Sequence, residues 1–346
     1  MNYSPPGSRE CVSVPTRSKR IRIGQIGTTH GHASPKMETL RKLSSLYEVV
    51  GIVEPDPERR NLCADDPVYQ GIPWMTEEEL LNTPGLQVVA VEQELPDQIQ
   101  TGLRCLQAGM HIHLDKPGIY TSLQECRDLH AEADRRNLIV QVGYMWRYNP
   151  AVVVLFDIIQ KGWLGEIHEI NGISAKMASP DLRQYLLEYP GGGMHEMGCM
   201  LIDILVGIMG KPDSVTAFNR ISRDDELADN QLAVFEYPQA VATIRCNHMD
   251  PLGFPRREFT VVGEEGTASI RPIEPAALQL GLAQARHGYS EEFQYVELPQ
   301  LSGRFDGDFL DLEQVIRGEK PLTWDSEHDL VVYESIFRAC GLEVDE

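Results

Sequence analysis

Arg20-Ile21-Arg22-Ile23-Gly24-Gln25-Ile26-Gly27-Thr28-Thr29-His30-Gly31-His32 is the stretch that decides the fold. Its first half alternates apolar and polar residues, the period of a half-buried strand, and its second half is a glycine-bearing loop. In Ser34-Pro35 the serine is a natural N-cap and the proline fits the first helical position. Met37, Leu40, Leu43 and Leu46 follow at helical spacing, and Val49-Val50-Gly51-Ile52-Val53 is a second strand ending at Glu54. Strand, loop, helix, strand is a βαβ unit. The first ~120 residues are therefore expected to bind a dinucleotide on a Rossmann-type framework.

Outward from this unit the alternation continues. Residues 77–81 read as a short acidic helix, 86–91 as a strand, 96–108 as a helix closed by Gly109, and 110–114 as a strand ending at Asp115-Lys116-Pro117. A helix over 123–136 and a strand over 138–142 complete a parallel sheet with both faces covered. After Pro150 the texture changes to β-branched runs at 167–174, 214–218, 231–237, 240–246, 259–262 and 267–270. Gly263-Glu264-Glu265-Gly266 marks a hairpin, and helices are expected over 196–209 and 329–340. The expected fold is an α/β Rossmann-type N-terminal domain followed by an α+β domain with a mostly antiparallel open sheet. Residues 1–19 form a flexible tail, 20–145 the dinucleotide-binding domain, and 146–346 the domain for substrate and oligomerisation.

Composition narrows the class. A net charge of −21 repels phosphate backbones and anionic lipid, which speaks against nucleic-acid and membrane partners. Seven dispersed cysteines with no C-x-x-C pair read as free thiols in a reducing compartment, and the apolar segment after Arg17, Lys19 and Arg20 is too short for a signal or a span. The expected location is the cytoplasm.

Three features carry chemistry. The loop with Gly24, Gly27, Thr28, Thr29 and His30 leads to a helix N-terminus and suits a pyrophosphate, although Thr29 and His32 stand where the fingerprint has its later glycines; the bland alternative is a structural turn. Glu54 at the end of the second strand accepts hydrogen bonds from ribose hydroxyls and repels a 2′-phosphate, so NAD is expected over NADP. His111, His113 and Asp115 share one strand face, and with His30 and His32 they invite a metal-hydrolase reading; the expectation is no metal, because no set of strand-end ligands recurs. Lys116, at a strand end where ligands of open α/β sheets bind, can polarise a hydroxyl. In Gly191-Gly192-Gly193-Met194-His195-Glu196-Met197-Gly198-Cys199-Met200-Leu201-Ile202-Asp203 the glycines let a loop approach a ligand closely, and Glu196, Met200 and Asp203 form one helical stripe. Tyr144, Trp146, Arg147, Tyr148 and Asn149 open the second half and suit a hydroxylated or acidic ligand, or else form a domain junction. Asp229-Asn230 and Arg256-Arg257 read as a turn and as surface charge.

In their order and spacing, the Gly27 loop, Glu54, Ala108-Gly109 to Lys116-Pro117, Arg147-Tyr148-Asn149-Pro150 and the glycine-run helix ending in Asp203 resemble the Gfo/Idh/MocA sugar and cyclitol oxidoreductases, from about Ile21 to the C-terminus. Asp115-Lys116-Pro117 looks like the family's Glu-Lys-Pro. The resemblance implies a nicotinamide cofactor held by Gly24, Gly27, Thr28, Thr29, His30, Glu54, Glu94, Asp115 and Lys116, and hydride transfer to or from a sugar or cyclitol carbinol. It implies Arg147, Tyr148, Asn149 and Asp203 as substrate residues, and a homodimer or homotetramer. The sequence also departs from the family. Glu196 stands for its usual Asp, and Met200 for the His that takes the hydroxyl proton; Gln93-Glu94-Leu95 replaces its Thr-Pro-Asn, and Gln98 a frequent His. Methionine cannot transfer a proton.

The expected function is an NAD-dependent oxidoreductase acting on a polyhydroxylated small molecule. Lys116, its pKa lowered by burial, polarises the hydroxyl, and His195 or Glu196 accepts the proton. The alternatives are a dinucleotide-binding sensor of the same fold without turnover, and cycling chemistry on a retained NAD.

Overall fold

The computed structural model describes residues 19–93, 97–118, 122–300 and 303–344. The expected tail, apart from Lys19, and the cofactor candidate Glu94 lie outside the described residues.

The first sheet comprises β1 (Ile21–Ile26), β2 (Tyr47–Val53), β3 (Trp74–Met75), β4 (Val88–Val91), β5 (His111–Asp115) and β6 (Val140–Gly143). All pairs are parallel, in the order β3-β2-β1-β4-β5-β6. The crossovers carry α1 (Ala33–Lys42), α2 (Pro57–Ala64), α3 (Glu77–Leu81), α4 (Asp97–Gln107) and α5 (Leu123–Arg136). Every residue of β4 is buried, as covered parallel strands require. Gly109, at φ +86, ends α4 through Gly109 N–H to the Leu106 carbonyl (2.9 Å) and Met110 N–H to the Cys105 carbonyl (3.0 Å), which satisfies two orphan acceptors. The start of α1 differs from expectation. His32 is the N-cap and offers no side-chain cap, while the Ser34 hydroxyl donates instead to Asp66 Oδ2 (3.1 Å). Strand order reverses between β1 and β4, which places the ligand crevice of such sheets at their C-terminal ends.

After α6 (Pro150–Gln160), the second sheet takes the order β14-β13-β12-β11-β7-β10-β9-β8. It consists of β7 (Ile167–Ala175), β8 (Ser214–Arg220), β9 (Asn230–Glu236), β10 (Val241–Asn247), β11 (Glu258–Gly263), β12 (Gly266–Ile270), β13 (Leu278–Leu282) and β14 (Gln294–Tyr295). Gly263 pairs with Gly266, so the two glutamates between them form the expected hairpin turn. The pairings are antiparallel except β7 with β10, and this exception carries the C-terminal ends of both strands to one edge. Helices α7 (Pro180–Leu186), α8 (Cys199–Met209), α9 (Asp306–Ile316) and α10 (Ser326–Cys340) complete the chain.

Two joints tie the halves together. The first is α9, which returns to the parallel sheet. Tyr47 donates its hydroxyl to the Phe309 carbonyl (2.6 Å), the Gln141 amide donates to the Asp308 carbonyl (3.0 Å), and the Phe309 ring lies 5.0 Å from that of His113. The second is Arg147, in the turn Met145–Tyr148. Its guanidinium donates to both oxygens of Asp203 on α8 (3.0 and 2.6 Å) and to Asp329 on α10 (3.0 Å), between the rings of Tyr144 and Trp324. His328 adds a contact of 2.9 Å to Asp203. Removing one partner of a buried ion cluster leaves uncompensated charge, which costs about 3–5 kcal/mol. Arg147→Met is accordingly expected to lower the unfolding free energy in urea by about that amount. A loss within about 1 kcal/mol, the range of exposed pairs, would show that the joint contributes nothing beyond a surface bridge.

Candidate active site

The loop after β1 is held from below. Gly27 adopts φ +91, and a Cβ there would lie 2.5 Å from Gln93 Cγ and 2.6 Å from Gln93 N, so only glycine lets the ends of β1 and β4 meet this closely. The Thr28 N–H and hydroxyl both donate to Glu54 Oε2 (2.9 and 2.6 Å), and the Asp56 N–H donates to Oε1 (3.1 Å). Arg59 donates to the Thr28 carbonyl (2.7 Å). Above the loop, a Cβ on Gly31 would meet nothing within 4 Å. A cavity of about 400 Å³ opens over Gly31, His32 and Pro35 against Gly303–Asp306. An open space at an uncapped helix N-terminus suits a phosphate of a dinucleotide, while Glu54, held by Thr28 and Asp56, lies outside the lining of this cavity.

Beneath the same loop lies a buried charge cluster. Asp115 Oδ2 is 3.1 Å from His30 Nδ1, 2.9 Å from His32 Nδ1 and 2.7 Å from Lys36 Nζ, and Lys36 also donates to Glu92 (2.9 Å). Burial pulls the Lys36 ammonium down, but Asp115 and Glu92 outweigh it and the net direction is upward. Burial likewise pushes Glu92 up to about 7 against the pull of Lys36, and His32 down to about 4. His30, His32 and Asp115 form a group with metal-ligand chemistry. Lys36, 2.7 Å from Asp115 Oδ2, supplies this carboxylate with a neutralising charge from within the chain. His113, on the same strand face as Asp115, has its Nδ1 on Gln141 Oε1 (2.8 Å).

Successive residues of a strand point to opposite sides, so Lys116, the residue after Asp115, addresses the second domain. Its ammonium, only 2% exposed, donates to the Glu196 carbonyl (2.7 Å) and to Glu196 Oε1 (2.8 Å). Glu196 lies in an irregular turn of π-helical geometry, Met194–Gly198, that feeds α8; such turns recur at functional sites. Lys116 is not lowered as expected. Burial pulls in that direction, but the Glu196 carboxylate overrides it and holds the lysine charged. Burial would raise Glu196, yet Lys116 and then Lys176 hold it well below the usual carboxylate range.

The remaining site candidates separate. Glu196 joins Lys116, but His195 does not. Its Nδ1 faces the Pro190 carbonyl (2.7 Å), and its ring lies between Tyr189 and Phe337. Arg147 and Asp203, expected to bind substrate, are engaged with each other in the joint. Tyr148 donates to Asp311 (3.0 Å) on α9. Asn149 caps α6 through Ala151 N–H (2.9 Å) and donates to the Ile273 carbonyl (2.9 Å), although it also borders a cavity of about 550 Å³ with Trp146 and Glu274. Two charge assignments are corrected. Arg257 is buried, donating to the Ala175 carbonyl (3.2 Å) against Phe254, and Asp229 is buried with Arg183 (2.9 Å). The glycine run is filled by protein rather than left open for a ligand. A Cβ on Gly191 would strike Cys340, and one on Gly193 would strike His248.

Two residues without a sequence signal stand beside the Lys116–Glu196 pair. Lys176 follows β7 and lies 3.8 Å from Glu196 Oε2; His248 follows β10. The parallel pairing of Ala175 with Asn247 sets them side by side at the edge facing Glu196. A single lysine and a single histidine between strands carry no periodic signal; only the parallel register brings them together.

Comparison with known proteins agrees with this architecture. Residues 21–144 match the model of the oxidoreductase family with an NAD-binding Rossmann fold, and residues 153–269 match the GFO/IDH/MocA C-terminal domain. The trans-1,2-dihydrobenzene-1,2-diol dehydrogenase of Bos taurus is 26% identical over 196 residues, which is 56% of this chain and 57% of that one. The scyllo-inositol 2-dehydrogenase (NADP(+)) IolW of Bacillus subtilis is 25% identical over 186 residues, 53% and 51% of the two chains. The chain thus matches somewhat over half the length of these curated relatives. Among solved structures, the aldose-aldose oxidoreductase of Caulobacter crescentus, crystallised with glycerol, superposes with a TM-score of 0.78 at 18% identity, over 93% of this chain and 98% of that one. With a Rossmann sheet, a mixed second sheet and both family models matched in order, the chain belongs to the Gfo/Idh/MocA oxidoreductase family.

Proposed function

We propose that the protein oxidises or reduces a secondary hydroxyl of a polyol, sugar or cyclitol with NAD, and that Lys116 holds the reacting oxygen. The observation that carries this reading is the state of Lys116. An ammonium has three N–H donors. Two are taken by Glu196, and the third has no partner among the described residues. A buried, permanently charged lysine at the C-terminal end of a central strand is a donor already oriented for an oxyanion. Such a donor stabilises developing charge without reorganising, the electrostatic effect that removal experiments value at about 10²–10³ in kcat. When bound, the nicotinamide ring supplies the hydride acceptor or donor. The chain's own residues orient the hydroxyl, exclude water and hold the charge. The loop of Gly24, Gly27, Thr28, Thr29 and His30 would hold the cofactor, with Asp115 fixing that loop through His30, His32 and Lys36. The names of the relatives, a diol dehydrogenase and an inositol dehydrogenase, support this substrate class.

Glu54 supports NAD over NADP, since a buried carboxylate at the ribose end repels a 2′-phosphate and Arg59 is occupied on the Thr28 carbonyl. Free thiols at all six described cysteines suit the reducing cytoplasm, and no helix of the described residues is long and apolar enough to cross a membrane. Half-exposed Phe218 and Val241 on the second sheet favour a homodimer or homotetramer through that sheet. A sensor without turnover is the second reading, favoured by Met200, a buried methionine with no proton to give.

Lys116→Met is expected to lower kcat by about 10²–10³ on a responsive polyol while leaving NADH affinity nearly unchanged. Because the change strands Glu196, Lys116→Met/Glu196→Gln is the companion that keeps the fold. Turnover at the parental rate in either would reject the role of Lys116. The sensor reading would be sustained by an absence of NADH formation from trans-1,2-cyclohexanediol, scyllo-inositol and D-glucose. In binding titrations, NADH is expected to bind at least about tenfold more tightly than NADPH, the ratio that 1.4 kcal/mol of charge repulsion produces. Glu54→Ser is expected to close the gap, and equal affinities in the parent would remove the case for NAD.

A further inference from the structure

The Lys116–Glu196 pair can hold an oxyanion but does not itself accept the proton. Met200 cannot take it; His195, whose Nδ1–H donates to the Pro190 carbonyl, has its ring between those of Tyr189 and Phe337. Glu196 is locked by Lys116 in its ionised form, with little basicity left. The Cys199 thiol donates to the Glu196 carbonyl (3.2 Å), and burial pushes it up to about 12.

His248 is different. It is 0% exposed, yet neither Nδ1 nor Nε2 has a hydrogen-bond partner among the described residues. A buried polar group left without a partner costs about 1–3 kcal/mol, so an imidazole with both nitrogens bare is one that a ligand group would complete. Its backbone is fixed on both sides. The His248 N–H donates to the Asp229 carbonyl (2.8 Å), and its own carbonyl accepts from Ala178 N–H (3.0 Å). The ring lies so close over the glycine run that a Cβ on Gly193 would fall 1.8 Å from Cε1. The absent side chain at Gly193 is what admits the imidazole to the edge where Lys176 and Glu196 stand.

Resting on the oxidoreductase reading above, we propose that His248 is the proton acceptor in oxidation and the proton donor in reduction, doing from the second sheet what the helix position of Met200 cannot. The substrate O–H bond breaks and its proton forms an N–H bond on the imidazole. The carbinol C–H bond breaks with its electron pair, which passes as hydride to the oxidised nicotinamide dinucleotide, and a carbonyl results. Charged groups face His248 from every side: Lys176 after β7, Glu196 in the π-type turn, Arg183 on α7 and Asp229 before β9. Burial, followed by Lys176, holds the imidazole down at about 4, so at neutral pH it is in the accepting form.

The test compares the parent with His248→Asn and His248→Gln on trans-1,2-cyclohexanediol, scyllo-inositol and D-glucose. A general base contributes about 10²–10⁴, so kcat is expected to fall at least about 100-fold in both variants with KM and NADH affinity little moved. The acid limb of the parental kcat/KM profile is expected to disappear with it. In the parent, the His248 Cε1–H resonance is expected to shift on addition of whichever of the three compounds turns over, a readout that requires no variant to fold. Variants that keep kcat and the acid limb, or a resonance that does not move, would overturn the role of His248 alone. A parent that forms no NADH or NADPH from any of the three compounds would remove the oxidoreductase reading and this role with it.

Discussion

The pairing of Lys116 with Glu196 is the constraint on which the rest of the site depends. It joins the end of the parallel sheet to the turn that begins α8, across the boundary between the two halves. Two charges taken out of water must recover the loss from each other and from further hydrogen bonds. Here the lysine gains a carboxylate oxygen and a carbonyl of the same residue, so the geometry is fixed at both ends. The chemical consequence is a division of labour. Lys116 is a permanent donor and Glu196 a permanent anion, and neither shuttles protons at neutral pH. Whatever moves a proton has to sit outside this pair.

The same device operates one residue earlier. Asp115 is buried against His30, His32 and Lys36, and so anchors the loop that would carry the dinucleotide. Because strand residues alternate in direction, two consecutive residues at one strand end reach two clusters: Asp115 meets His30, His32 and Lys36, and Lys116 meets Glu196. A change at either position would be felt at the other through the shared backbone. On the proposed reading, this coupling would hold nicotinamide and hydroxyl in register without a flexible element between them.

Much of this was legible in the sequence where periodicity or glycine chemistry wrote it. The alternation of Ile21 to Ile26, the acidic end of β2 at Glu54, the closing Gly109 and the Gly263–Gly266 hairpin each follow from local geometry, and each stands where it was expected. Lys116 and Glu196 were legible as candidates, but the sign of the lysine's shift was not. Burial alone lowers it, and only the partner 80 positions away in sequence reverses the direction. Arg147 and Asp203 misled for a related reason. A charged residue beside aromatics has the same composition whether it meets a ligand or another charge of the same chain, and here it meets Asp203 and Asp329.

His248 and Lys176 were invisible because their proximity is a property of register. β7 and β10 are separated in sequence by two helices and two strands, and their parallel pairing is the exception in a sheet expected from its turns to be mostly antiparallel. That exception brings two strand C-termini, with the residues that follow them, to one edge. The parallel first sheet does the same for Lys116. The site therefore forms where the C-terminal ends of strands from two unrelated sheets face each other over the glycine run, and the residue at Gly193 decides how near they come. A methionine on the helix at position 200 is compatible with chemistry under this arrangement, because the imidazole on the opposite sheet stands next to the same glutamate. Under the proposed role of His248, the turn that feeds α8 need supply only Glu196, the anchor for Lys116, and Met200 on the helix itself need move no proton.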